Sequence, residues 1–352
     1  MKTLRIVGIG GGTGLPVLLS GLAKESRVDL SAVVTVADDG GSSGRLRSSM
    51  GVPAIGDLRN CLVALSGNQS TLADLFQHRF SAGDGLDGHA LGNLIVAALF
   101  QRTGCLQEAI EIASRLLPLK GQALPSTGTL TTLCALLDDG SVVRGESRIP
   151  EAGRQIRRVW LEPSDPPASR GVLEALAAAD AIVLAPGSLY TSLMPNLLVS
   201  GVAAAIRKSS AVKILVCNLL TEPGETAGFS ASDHLRAVEK RLGRDVVNYC
   251  VVNSATERAR KWQGRRPGWE PVKCDADQIL ALGAVPIEVD LLSLRGARLH
   301  HDPAKLARVV ETIAKARIRQ NQAATAVSAA FSTLSKNSEG NLSICPNHSA
   351  IA

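Results

Sequence analysis

The apolar residues of this chain fall in short unbroken runs that alternate with stretches at helical spacing. Residues 4–9 are almost continuously apolar, as a strand covered on both faces must be, and they lead into Gly10-Gly11-Gly12-Thr13-Gly14. Leu15, Leu18, Leu19 and Leu22 then recur at the 3.6-residue period and predict a helix. Residues 30–36 predict a second buried strand, followed by a long glycine-rich loop. Beyond that loop, Asp57 is placed to cap a helix carrying Leu58, Cys61, Leu62 and Leu65. Strand, helix, strand and helix in this order open a parallel α/β sheet.

Residues 71–117 read as mostly helical, interrupted by Gly83-Asp84-Gly85 and Gly88-His89, with the stretch from His89 to Asn93 opening the middle helix. Near residue 126 the period shortens. Runs at 130–137 and 141–147 flank Asp138-Asp139-Gly140, a hairpin signal because glycine reaches φ > 0 without steric cost. An antiparallel hairpin insertion over about 126–150 follows from this. The α/β rhythm then resumes, with strands expected at 156–161, 181–185, 212–217 and 246–252. Helices are expected near 172–179, 196–208 and 233–242, after Asp275, and at 304–317. The expected fold is α/β, a Rossmann-like, doubly wound and mainly parallel sheet with helices on both faces. It is read as one domain over 1–320 with a disordered tail at 321–352, where Ser, Asn and Ala replace apolar periodicity.

Composition narrows the partners more than the fold. Hydrophobic content of 45% and charged content of 20% are those of an ordinary soluble protein. Aromatic content of 3% leaves too few rings for a platform that stacks single-stranded nucleic acid. A net charge of +6 and a pI near 9.0 favour anionic partners, and the basic residues are spread along the chain. The sequence opens without the apolar core and small-residue cleavage site of a signal peptide. Its longest apolar run, 197–206, contains Ser200 and Gly201 and is too short for a bilayer, which needs ~20 residues. Seven widely spaced cysteines without a Cys-x-x-Cys pair read as reduced, mostly buried thiols. The expected setting is cytoplasmic, with no membrane span and no nucleic acid.

The candidate chemistry lies at the carboxyl ends of the strands, where α/β sheets bind ligands. Gly10, Gly11, Gly12, Thr13 and Gly14 form a strand-loop-helix turn of the kind that cradles pyrophosphate. The match to G-x-G-x-x-G is imperfect, since Thr13 stands in the third place. Asp38 lies 28 residues after Gly10, where a nicotinamide site wants an acid after ~20, so that reading is weakened. Asp38, Asp39 and Asp57 are the catalytic candidates, among glycines that leave the backbone open to a ligand. Asp38 and Asp39 suit Mg²⁺, which takes one or two carboxylates and completes its shell with water and phosphate. Gly40, Gly41 and Ser42 belong to the same binding loop, and Arg45, Arg47 and Arg59 suit phosphate oxygens. Asn60 follows Arg59, and His89 and Asn93, four apart, are expected on one helix face. Gly187, Ser188, Tyr190 and Thr191, with Asn196 beyond them, repeat the physics of the first loop, and residues 218–226, starting at Asn218, supply a third. No Gly-x-Ser-x-Gly is present, so nucleophilic hydrolysis has little support. Arg258, Arg260, Lys261, Arg265 and Arg266, near Trp262 and Trp269, read as a solvated basic face, and Asp302 before Pro303 as a helix cap.

Six blocks in order resemble the gluconeogenesis factor family, a relative of 2-phospho-L-lactate transferase. They are GGGTG from Gly10, TVADDGGSSGRLR from Thr35, GDLRNC from Gly56, GHALGNL from Gly88, APGSLYTSLMPNLL from Ala185 and CNLLTEPGET from Cys217. The resemblance implies a cytoplasmic, nucleotide-sugar-binding regulator, with UDP-N-acetylglucosamine as the ligand, needed for cell shape and cell-wall precursor supply during gluconeogenic growth. It implies a protein partner in cell-wall synthesis and admits a homo-oligomer. The transferase branch implies instead Mg²⁺-dependent transfer of a phospholactyl group from a nucleotide-activated donor to a deazaflavin. In both, the family's acidic pair corresponds to Asp38 and Asp39, and its Gly-Asp-x-Arg-Asn block to Gly56, Asp57, Arg59 and Asn60. The chain departs at Arg298-Leu299-His300-His301-Asp302, where His300 takes the place of the arginine in the family's Arg-His-Asp.

Overall fold

The computed structural model describes residues 3–67, 70–263, 268–293 and 299–319, with the side chains of Trp262 and Gln263 left aside. The expected tail, Arg265 and Arg266 lie outside the described residues.

Seven parallel strands form the central sheet: β1 (Leu4–Gly10), β2 (Val28–Val34), β3 (Gln122–Pro125), β7 (Ala181–Leu184), β8 (Val212–Val216), β9 (Tyr249–Asn253) and β10 (Val285–Val289). Their spatial order is β10-β9-β8-β7-β1-β2-β3. The chain therefore winds outward from β1 through β2 to β3, then returns to the other side of β1 and winds through β7 to β10. The direction of winding reverses between β1 and β7, which is the topological switch point of the sheet.

Successive side chains of β1 go to opposite faces, as the pleat requires. Leu4 and Ile6 join one core with Leu15, Leu18, Leu62 and Phe76. Val7 and Ile9 join the other, with Leu133, Ile182 and Leu235. Both faces are thus covered, and each fully buried aliphatic side chain of this strand contributes ~1.5–3 kcal/mol. Helix α1 (Gly14–Leu22) packs on the first face, with α2 (Gly41–Met50), α3 (Gly56–Leu65), α4 (Thr71–Gln77) and α5 (Leu91–Thr103) following in the chain.

Besides the two edge strands β3 and β10, which the sequence pattern did not mark, the structure departs from that pattern in five places. The long loop after β2 contains α2, a helix closed by Gly51 at φ 66°. Its glycines and serines are poor helix formers, so burial of Ser42, Ser43, Gly44 and Leu46 holds it in place. Asp57 is not a cap: Ile55 occupies that position without a side-chain bond, and Asp57 lies in the first turn of α3. His89 precedes α5, whose cap position is Ala90, so His89 and Asn93 do not share a helix face. The insertion has a third strand, because β6 (Ile156–Glu162) pairs antiparallel with β4 (Thr132–Leu137), which also pairs with β5 (Val142–Arg144). Arg158, Trp160 and Glu162, alternating with buried Val159 and Leu161, leave β6 wetted on one side, which an antiparallel sheet tolerates and a doubly covered parallel one does not. Finally, the helix expected at 196–208 is divided into Met194–Leu198, which continues a π-helical turn (Leu189–Leu193), and Val202–Lys208, with Gly201 at φ 82° between the two.

Candidate functional site

Three loops leave the carboxyl ends of β1, β7 and β8 around the switch point and enclose a cleft of about 460 Å³. Gly12, Thr13 and Gly14 line it from the first loop, Gly187 and Ser188 from the second, and Asn218 from the third. The three loops therefore converge on one cleft. Gly14 allows it: a Cβ there would lie 1.8 Å from the Pro186 carbonyl oxygen, so only a bare backbone fits between the first two loops. Asn196, fully buried, ties them from below by donating through Nδ2 to the carbonyls of Gly10 at 3.1 Å and Ser192 at 2.9 Å. Asn218 ties the second to the third, since its Oδ1 accepts from the Gly187 N–H at 2.8 Å and its Nδ2 donates to Glu222 at 3.0 Å. Ser188 Oγ donates to the other Glu222 oxygen at 2.7 Å.

Behind the first loop lies a group of carboxylates. The Gly12 N–H donates to Asp57 Oδ2 at 2.7 Å, and a Cβ on Gly11 would meet the same oxygen at 2.6 Å. Burial pushes the Asp57 carboxyl up to about 6, and the negative charge of Asp38 pushes the same way. Asp38 is raised by its own burial while accepting from the Gly40 N–H at 2.9 Å. Asp39 accepts from the backbone N–H groups of Glu146 at 3.1 Å and Ser147 at 2.8 Å, fastening the insertion to the sheet. Glu146 lines the cleft, and burial followed by the charge of Asp38 pushes its carboxyl up to about 8. Glu225, pushed up to about 7 by burial and by Glu222, accepts from the Tyr190 N–H at 3.1 Å and the Thr191 hydroxyl at 2.8 Å.

With respect to Mg²⁺, Asp39 gives an oxygen to each of two backbone donors, so the acidic pair fits a shared cation poorly. Among the described residues no three His, Cys, Asp or Glu side chains are grouped to hold a metal ion.

The other sequence candidates gather outside the cleft lining. Ser42 Oγ lies 2.9 Å from His89 Nδ1 and accepts from Asn93 Nδ2 at 3.0 Å, a buried network that joins α2 to α5. Burial and the charges of Arg45 and Arg79 lower the His89 pKa. Arg59 donates to Gln77 at 2.9 Å and to Asn60 at 2.8 Å, and burial lowers its pKa to about 10. Arg45 donates to the Asp87 carbonyl and Arg47 to the Thr131 carbonyl, both at 2.6 Å. The loop arginines therefore serve the fold. Tyr190 packs edge-on against Phe229, and Gly40 and Gly41 start α2 away from the cleft. Leu219 and Glu222 of the third loop join the lining, and Glu146, Trp269, Leu299, His300 and His301 reach it from outside the three loops. The histidine pair carried one signal, the departure from the family pattern at His300. His301 is buried, its pKa is lowered to about 4 by that burial, and its Nε2 has no hydrogen-bond partner among the described residues. Asp302 does cap the last helix, accepting from the Ala304 and Lys305 N–H groups.

A family model described as 2-phospho-L-lactate transferase CofD matches residues 6–292. The gluconeogenesis factor of Halalkalibacterium halodurans is 44% identical over 314 residues, covering 88% of this chain and 96% of that protein. This chain belongs to the gluconeogenesis factor family, within the wider 2-phospho-L-lactate transferase CofD family. The gluconeogenesis factor of Bacillus subtilis is 41% identical over 314 residues, covering 88% of this chain and 98% of its own length. A crystal structure of a Bacillus halodurans protein aligns with a TM-score of 0.83 at 44% identity, covering 88% of this chain and 99% of that one. The family match holds all three cleft loops and ends before His300 and His301, so this gluconeogenesis-factor homologue closes its cleft with residues from beyond the match. Among the described residues no helix is long and apolar enough to cross a membrane.

Proposed function

We propose that the chain binds a nucleotide sugar of the UDP-N-acetylglucosamine type in the switch-point cleft and acts as a ligand-responsive regulator. The observation that carries this reading is the convergence of the Gly12, Ser188 and Asn218 loops on one cleft at the start of α1. The free N–H groups and positive end of a helix favour phosphate, and each charge-assisted hydrogen bond to it supplies ~1.5–3 kcal/mol. Leu219, Leu220 and Trp269 offer an apolar wall for the base or the sugar. The name gluconeogenesis factor, carried by the relatives, supports a role in gluconeogenic growth; we extend that role to cell-wall precursor supply and cell shape in the cytoplasm. In this reading the output is a protein partner in cell-wall synthesis, engaged according to ligand occupancy. Calorimetric titration with UDP-N-acetylglucosamine, UDP and free N-acetylglucosamine tests it. Saturable heat with the first two and none with the sugar alone is expected; a folded protein that gives no heat at millimolar UDP-N-acetylglucosamine would sink it.

A second reading rests on Glu146. A cleft carboxyl with its pKa pushed to about 8 holds a proton at neutral pH and is able to deliver it to the leaving oxygen. That favours the transferase of a nucleotide-activated phospholactyl group described for the family. Turnover of such a donor with a deazaflavin acceptor in Mg²⁺ buffer, lost in Glu146→Gln, is its expected signature. No product above the protein-free rate dismisses it.

A further inference from the structure

A second concavity, of about 410 Å³, lies on the other side of the π-helical turn, between β6 and the helix Ala231–Leu242. Arg157 and Arg158 enter its lining from β6, and Lys240 and Arg241 from the end of the helix. Asp165 is the one acid in that lining. Elsewhere the protein pairs exposed arginines with acids, as in Arg144–Glu162, Arg154–Asp139 and Arg236–Asp233. Among the described residues, Arg157, Lys240 and Arg241 have no acidic partner within ion-pair distance. A helix C-terminus welcomes Lys240 and Arg241 through its dipole, but that argument does not reach Arg157 and Arg158 on a strand. Arg241 is also fixed, because its Nε donates to the Leu197 carbonyl at 2.9 Å and leaves the terminal nitrogens of the fork for another acceptor. Beneath the cations the lining is apolar, with Val159, Leu161, Met194 and Ala237 all buried. At its edge Arg158 lies over the Trp160 ring, 5.8 Å from its centre.

We propose that this pocket is a second ligand site, for a small organic phosphate: a dianion held by Arg157, Lys240 and Arg241, with a compact apolar or planar body over Met194 and Ala237. Arginine forks match phosphate oxygens in pairs, and the pocket volume is that of small-molecule sites, ~300–1,000 Å³. An apolar floor under a cationic rim selects for both halves of such a ligand, where inorganic phosphate alone satisfies only the rim. The site is separate from the nucleotide cleft, although one turn walls both: Ser188 and Ser192 face the cleft, Tyr190 and Met194 the pocket.

Phenyl phosphate is the probe, with inorganic phosphate and benzyl alcohol as its two halves, titrated by calorimetry into the full chain in low-salt buffer. Saturable binding of phenyl phosphate, tighter than of either half, is expected. The double variant Arg157→Glu/Lys240→Glu changes two exposed side chains and leaves the core intact; it is expected to weaken binding by more than about tenfold, the loss of one or two charge-assisted bonds. Ser188→Ala, a cleft variant, is expected to leave phenyl phosphate binding unchanged. Unaltered affinity in the double variant, with a native circular dichroism spectrum, overturns the proposal. So does loss of binding in Ser188→Ala alone, which would move the probe to the cleft, and so does the absence of saturation at millimolar phenyl phosphate.

Discussion

Replacing Asp57 by asparagine should stabilise this protein at neutral pH, although Asp57 belongs to the candidate site. Its carboxyl has a pKa of 3.8 in an unfolded chain and about 6 in the fold, chiefly through burial. Between those values the folded chain holds more protons than the unfolded one, so stability falls as pH rises from about 4 to 6 and the penalty is complete above that. At ~1.4 kcal/mol per pH unit the displacement corresponds to roughly 3 kcal/mol, an upper bound because Asp57 keeps some contact with solvent. The amide oxygen introduced by Asp57→Asn would still accept from the Gly12 N–H, which lies 2.7 Å from the carboxylate in the native protein, but a neutral acceptor forgoes about 1 kcal/mol of that bond. The net gain at pH 7.5 is then ~1–2 kcal/mol, or about 1–3 °C in Tm for a chain of this size. At pH 4.5 the native carboxyl is mostly protonated and the gain should vanish. Thermal melts of both proteins at the two pH values measure the difference. A Tm gap that is the same at pH 4.5 and 7.5, or larger at 4.5, would refute the claim that a buried charge sits behind Gly12.

Gly14→Ala should drive the first two loops apart, because the new methyl would stand 1.8 Å from the Pro186 carbonyl oxygen; about 1–3 kcal/mol of stability and most nucleotide affinity should go with it. Wild-type affinity and Tm in that variant would show that the loops need not touch. Asn196→Ala strips donors from the Gly10 and Ser192 carbonyls at the sheet's centre and should cost ~2–3 kcal/mol in urea unfolding; a loss under about 0.5 kcal/mol, the low end for a single hydrogen bond, would contradict its role as a tie. Glu146 is neutral below about 8 and anionic above, so affinity for a nucleotide phosphate should fall between pH 7 and 9 as the cleft gains a repelling charge. Glu146→Gln should flatten that profile, and an equally steep decline in the variant would assign it to another group.

What the sequence made legible was whatever burial on two faces dictates. β1 and its glycine loop, followed by the leucines of α1, stand out because an inner parallel strand must be apolar throughout. The edges of the sheet did not. β3 ends in Pro125, and β10 carries Pro286 and Glu288, compositions that protect an edge and disguise a strand. α2 was hidden by its glycines and serines, whose helical state depends on neighbours remote in sequence, such as His89 and Asn93. The types of chemistry were readable, but their location was only half so. Gly12, Ser188 and Asn218 reached the cleft because strand ends are fixed by the α/β order, whereas Arg45, Arg47 and Arg59 turned inward to carbonyls and amides. Glu146 and His300 arrive on an insertion and a late strand pair, for which no local pattern announces the destination.

The reversal of winding at β1 also sets a timetable. Gly12 leaves the ribosome before Glu146, Glu146 before Asn218 and Glu222, and His300 after all of them. A nascent polypeptide therefore carries one wall of the cleft long before it carries the whole cleft. A ligand that binds the assembled cleft stabilises completed molecules by mass action and leaves unfinished ones untouched. The abundance of the folded protein thereby becomes tied to the supply of its own ligand.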